Sequence, residues 1–176
     1  MSDTIQLSQA RLHLVLAPRD VRRKVMTDLT ARLALKGAVR LVDGGNSFDA
    51  YGLARQLRGQ SCAWRTALER VIVARAFTCY QMVALVAQMP SHPPPTLALD
   101  LLDTFYDENV PLPERRRLLA ESLTHLWRIS RFVPVAVSGC LPERGQPGDL
   151  LEMLAEAAGQ VWSFPIAVPT PPLRLF

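Results

Sequence analysis

The sequence predicts an α/β protein, a three-layer α/β/α sandwich on a mostly parallel, twisted sheet. Three observations predict it. Short apolar runs alternate along the chain with longer segments of helical spacing. Prolines and glycines stand at the junctions between them. The first run, Leu12 to Ala17, is compact and apolar, as suits a strand covered on both faces.

The elements follow in order. Pro18 ends the first strand, and Asp20 to Leu35 carries Val21, Val25, Leu29 and Leu33 at helical spacing, with Gly37 suited to the C-terminal cap. Ala38 to Val42 reads as the second strand, broken by Gly44 and Gly45, and Ser47 is placed to cap a short helix through Arg58. Ser61 to Met89 reads as the longest helical stretch, although its Val71-Ile72-Val73 run is also strand-like. Pro90 and Pro93 to Pro95 end it. Thr96 to Leu102 is the third strand, Pro113 to Phe132 a strongly patterned helix, and Val133 to Ser138 the fourth strand. Gly148 to Ala158 is a helix and Gln160 to Phe164 a fifth strand. The proline-rich tail, Ile166 to Phe176, is expected to be extended and suited to a sheet edge.

At 176 residues, 49% hydrophobic and 20% charged, the chain has the composition of a globular protein rather than a disordered one. It contains no repeat and no linker that would divide it, so a single domain is expected, with its core over 12–164 and a tail over 165–176. No apolar run reaches the roughly 20 residues of a membrane span, and the N-terminus lacks the basic region of a signal peptide, so the cytoplasm is the expected compartment. Cys62, Cys79 and Cys140 are odd in number, widely spaced and in no C-x-x-C pattern, which argues against a disulfide framework and a zinc site. A net charge of +4 permits contact with nucleic acid without requiring it.

In parallel sheets, ligands bind beyond the carboxyl ends of the strands. Here those are the residues after Ala17, Val42, Leu99 and Ser138. At these places the chain resembles the RecA/RadA family of strand-exchange ATPases, which share the P-loop NTPase fold. The segment Leu68 to Phe77 followed by Gln81 resembles the family's helix segment in which an Ala-Arg-Ala-aromatic run precedes a Gln. Leu41-Val42-Asp43-Gly44-Gly45-Asn46-Ser47-Phe48 resembles its second strand end, Leu97 to Asp100 its Walker B strand, and Val133 to Ser138 its sensor strand. The resemblance covers roughly Leu12 to Phe164 and implies a RecA-like fold.

The departures from that family bear most on function. A working phosphate loop, G-x-x-x-x-G-K-[ST], turns backbone N–H groups towards the phosphates, with a Lys and a Mg²⁺-holding hydroxyl. The corresponding run is Ala17-Pro18-Arg19-Asp20-Val21-Arg22-Arg23-Lys24. Both glycines are gone, Arg23 stands for the Lys, and Lys24, an ammonium without acceptor capacity, stands for the hydroxyl. Gly45 stands for the family's activating Glu, and Gly139-Cys140 for its sensor Asn-Gln. Asp100 survives as the Walker B carboxylate.

What remains of a nucleotide site is therefore Pro18, Arg19, Arg22, Arg23, Lys24, Asp43 and Asp100. No catalytic residue, metal site or cofactor is expected, MgATP included. The basic cluster at 19–24 suits either an anion at a helix N-terminus or solvated arginines. The loops matching the family's DNA-contacting segments, Tyr106 to Pro113 and Leu141 to Gly148, are respectively acidic and short. Arg115, Arg116 and Arg117 read as a solvated face, paired in part with Glu114 and Glu121, and His13, His92 and His125 as structural. Trp64, Trp127 and Trp162 read as core or interface aromatics. The expectation is a pseudo-ATPase with a degenerate Walker A motif that acts by protein contact in DNA recombination or repair. Its partner would be a RecA-family relative or a second copy. A DNA-binding module and a nucleotide binder with an altered loop are the alternatives.

Overall fold

A computed structural model describes residues 5–7, 11–90 and 92–164. Among them six strands form one all-parallel sheet, ordered β3-β2-β4-β5-β1-β6. In chain order the elements are β1 (Leu12–Leu16), α1 (Arg19–Lys36), β2 (Val39–Asp43), α2 (Ala50–Gln60), α3 (Trp64–Glu69), β3 (Val71–Arg75) and α4 (Cys79–Ala87). Then come β4 (Thr96–Leu99), a 3-10 helix (Leu101–Phe105), α5 (Leu112–Ser130), β5 (Val135–Gly139), α6 (Asp149–Ala157) and β6 (Gln160–Ser163).

Strand side chains alternate between two buried clusters, one on each sheet face. Leu12, Leu14, Val42, Ala98, Val135 and Val137 pack with α4, α5 and α6. Val15, Val39, Leu41, Leu97 and Ala136 pack with α1, α2 and α3. The result is the three-layer α/β/α sandwich the alternation predicts, an architecture consistent with a RecA-like fold.

Three expectations need correction. The long helix at 61–89 does not exist. Val71–Arg75 leaves it as an edge strand paired with β2, with α3 before it and α4 after it. The β-branched Val-Ile-Val run prefers a pleated, half-buried site, and pairing with β2 satisfies its backbone. The sheet therefore has six strands rather than five. Ser47 does not cap α2; Asp49 does, its Oδ1 accepting from the Gly52 N–H at 2.9 Å. The third strand stops at Leu99, because Asp100 adopts a left-handed backbone (φ 51°) and turns the chain into the 3-10 helix. The tail from 166 onwards lies outside the described residues.

Candidate functional site

The turn after β1 is closed before a phosphate loop can open. Pro18, with φ −55°, leads directly into α1, which begins at Arg19. The Arg22 N–H donates to the Pro18 carbonyl at 2.8 Å. Positions 19–24 are thus the first turns of a regular helix. With no glycine to turn the chain outward, the backbone N–H groups from Arg22 onwards serve the helix instead of facing a ligand.

Arg22 takes the place of the loop's second glycine, and its side chain fills the site. It is 5% exposed. Its Nε lies 2.6 Å from Asp100 Oδ1, its Nη2 donates to Asp100 Oδ2 at 3.1 Å, and its Nη1 donates to the Ala17 carbonyl at 3.4 Å. Ser138 at the end of β5 completes the knot. Its hydroxyl donates to Asp100 Oδ1 at 2.9 Å and accepts from the Asp100 N–H at 3.0 Å. Burial works against the Arg22 charge, but the Asp100 carboxylate and the Cys140 sulfur outweigh it and hold the guanidinium pKa above its ordinary value.

Of the seven expected residues, Arg19, Arg22, Arg23 and Asp100 line one cavity of about 20 Å³, room for roughly one water. Lys24 lies exposed on α1 outside it, and Pro18 caps the helix. Asp43 is 1% exposed and occupied elsewhere. Its oxygens accept from the Ser47 and Phe48 N–H groups at 2.9 and 3.1 Å, and Arg75 lies 3.5 Å away. That carboxylate folds the 44–48 loop.

The loop is drawn tight against Asp100. A Cβ at Gly45 would stand 2.6 Å from Asp100 Cβ and 2.8 Å from an Asp103 oxygen, and one at Gly44 would stand 2.9 Å from the Asp100 carbonyl. The place matching the family's activating Glu therefore has no room for a side chain.

A second space, a cleft of about 460 Å³, opens on the other side of Arg22, between the start of α1, the 3-10 helix and the loop after β5. Arg19, Arg22, Asp103, Tyr106, Cys140 and Glu143 line it. The Tyr106 hydroxyl is buried without a hydrogen-bond partner, and burial, with Cys140 and Asp103 adding, pushes its pKa up to about 12. Burial and the Asp100 carboxylate raise the Asp103 pKa, with Arg22 and Arg19 opposing. Sequence spacing gave no sign of this grouping, which depends on how two loops meet.

The other expected cluster is not a uniformly solvated face. Arg115 is buried, its Nη1 donating to the Phe105 carbonyl at 3.4 Å. Arg116 pairs with Asp149, and Arg117 with Glu114 and Glu121. His13 is buried, His92 packs on Phe132 with ring centroids 5.2 Å apart, and the three cysteines are free. Among the described residues no group of three or more His, Cys, Asp or Glu could hold a metal, and no helix is long and apolar enough to cross a membrane. No protein-family model matches the chain, and comparison with curated proteins finds no match.

Proposed function

We propose that this chain is a catalytically silent RecA-like protein that acts through protein–protein contacts, with DNA recombination or repair as its setting. The observation that carries the reading is the Arg22–Asp100 pair. A metal-assisted phosphoryl transfer needs a free carboxylate for the ion and open backbone donors for the phosphates. Here the surviving carboxylate already holds a guanidinium, and the backbone donors from Arg22 onwards are spent in α1. Gly45 leaves no group to orient a water. The residues present do not fit MgATP held in the family's manner.

Support for the contact half comes from the β3 edge. It is a short edge strand with Ile72 and Val73 43% and 37% exposed, followed by Phe77 at 71% and Tyr80 at 51%. Open edges with apolar side chains are a pairing liability unless something covers them, and addition of an extended segment from a protein partner would do so.

The deciding experiment is calorimetric titration with ATP and Mg²⁺ beside a hydrolysis assay. Neither heat nor turnover above background is expected. Hydrolysis that Asp100→Ala abolishes would overturn the reading.

A further inference from the structure

A second surface lies on α2 and α3. From Ala50 to Leu68 the chain carries Arg55, Arg58 and Arg65 and no acidic residue. The guanidiniums of Arg58 and Arg65 each stand 4.6 Å from the centre of the Trp64 ring. Arg55 lies one turn before Arg58 on the same helix face, and Tyr51, 90% exposed, lies one turn before that.

What sets Arg58 and Arg65 apart is their shared ring: among the described residues no other aromatic side chain holds two guanidiniums. Arg22, Arg32, Arg75, Arg116 and Arg117 all have carboxylate partners. Arg55, Arg58 and Arg65 have none among the described residues, and the nearby Asp28 is taken by Arg32 and Gln56. A ring that holds two guanidiniums reduces the rotamer freedom they would lose on meeting an anion, so less entropy opposes binding. Exposed Arg and Tyr around a half-buried Trp, with Glu69 at the far end of α3 as the one acidic side chain of the two helices, is close to the composition of interface hot spots. The patch also runs through α3 directly into the exposed β3 edge, so one partner can cover both.

From this we infer that the α2–α3 surface, through Arg55, Arg58, Arg65, Trp64 and Tyr51, binds an acidic segment of a protein partner, its carboxylates meeting the arginine forks. The inference rests on the protein-contact reading and supplies the chemistry of that partner.

The test uses the full chain and a fluorescein-labelled peptide alternating Glu with Leu and Tyr, read by anisotropy. A peptide with Lys in place of Glu, an oligothymidylate and phosphatidylserine vesicles run in parallel. Saturable binding of the acidic peptide alone is expected, weakening about tenfold or more in Arg58→Ala/Arg65→Ala. Arg58→Lys/Arg65→Lys should recover only part of it, because Lys keeps the charge but not the planar fork. These residues are on the surface, so both variants should fold, with a Tm lowered by a few degrees at most from the lost ring contacts. No binding of the acidic peptide, binding that the variants leave unmoved, or preferential binding of the oligonucleotide or vesicles overturns the inference. Any of these with ATP silent leaves the proposed function standing, whereas ATP turnover overturns that reading separately.

Discussion

Arg22 and Asp100, separated by 78 positions in the chain, meet side-on in the interior, with Nε and Nη2 of one facing the two carboxylate oxygens of the other. The pair ties the start of α1 to the end of β4 across β5. Both side chains are almost fully buried, so neither can lose its partner cheaply. Arg22→Ala should cost about 3–5 kcal/mol in urea unfolding, because it leaves a buried carboxylate with only Ser138 for company. Arg22→Met combined with Asp100→Leu should recover most of that loss, since an apolar pair of similar volume avoids the desolvation penalty. A double variant as unstable as the single one would mean the pair stabilises by more than mutual neutralisation.

Gly45 tests how tightly the second loop is drawn. A Cβ there meets backbone-anchored atoms of Asp100, which cannot swing away as a long side chain could. Gly45→Ala should destabilise by about 1–3 kcal/mol through overpacking. Gly37→Ala is the matching control. Its backbone is extended, with φ 175°, and nothing lies within 4 Å of an added Cβ, so its effect should stay within about 0.5 kcal/mol. Gly45→Glu should disrupt the Asp100 knot rather than restore catalysis, visible as a lowered Tm without ATP turnover.

How much of this was legible in the sequence depended on the range of the deciding interaction. The apolar runs at Leu12 and Val133 and the patterned helix at Pro113 carry their own local signal, and the structure places them within a few residues of the expected bounds. Val71–Arg75 was ambiguous because a continuous apolar run fits a helix or a buried strand, and only pairing with β2 decides it. The loss of the glycines at 17–24 could be read, as could the survival of Asp100. That the altered loop and the surviving carboxylate are joined could not, because the approach of Arg22 to Asp100 is purely tertiary. Asp43 shows the opposite case: an acid at a strand end reads as a ligand group, yet it spends both oxygens on its own loop.

The β3 edge offers a third prediction. Val73 is 37% exposed on the strand that forms a sheet edge among the described residues, so in Val73→Lys the apolar stem can keep much of the packing while the charge discourages edge pairing. Stability should change by less than about 0.5 kcal/mol. Sedimentation at rising protein concentration should show less self-association than the parent chain. A large loss of stability would show that Val73 packs as a core residue.

Asp103 supplies a pH-dependent prediction. Its pKa is raised above the ordinary 3.8, first by burial and then by the Asp100 carboxylate, against the pull of Arg22 and Arg19. The folded chain therefore holds this proton more tightly than the unfolded chain. The linked stability falls as pH rises from the unfolded value through the folded one, and the penalty is complete at neutral pH. Asp103→Asn removes the charge and keeps the shape. It should raise Tm at pH 7 by an amount equivalent to less than about 1 kcal/mol, since the outer part of the side chain is open to solvent and screened. The gain should shrink as pH drops and vanish below 3.8, where the parent carboxyl is neutral in both states. A gain that stays constant across that range would assign the effect to hydrogen bonding by the amide instead of relief of charge.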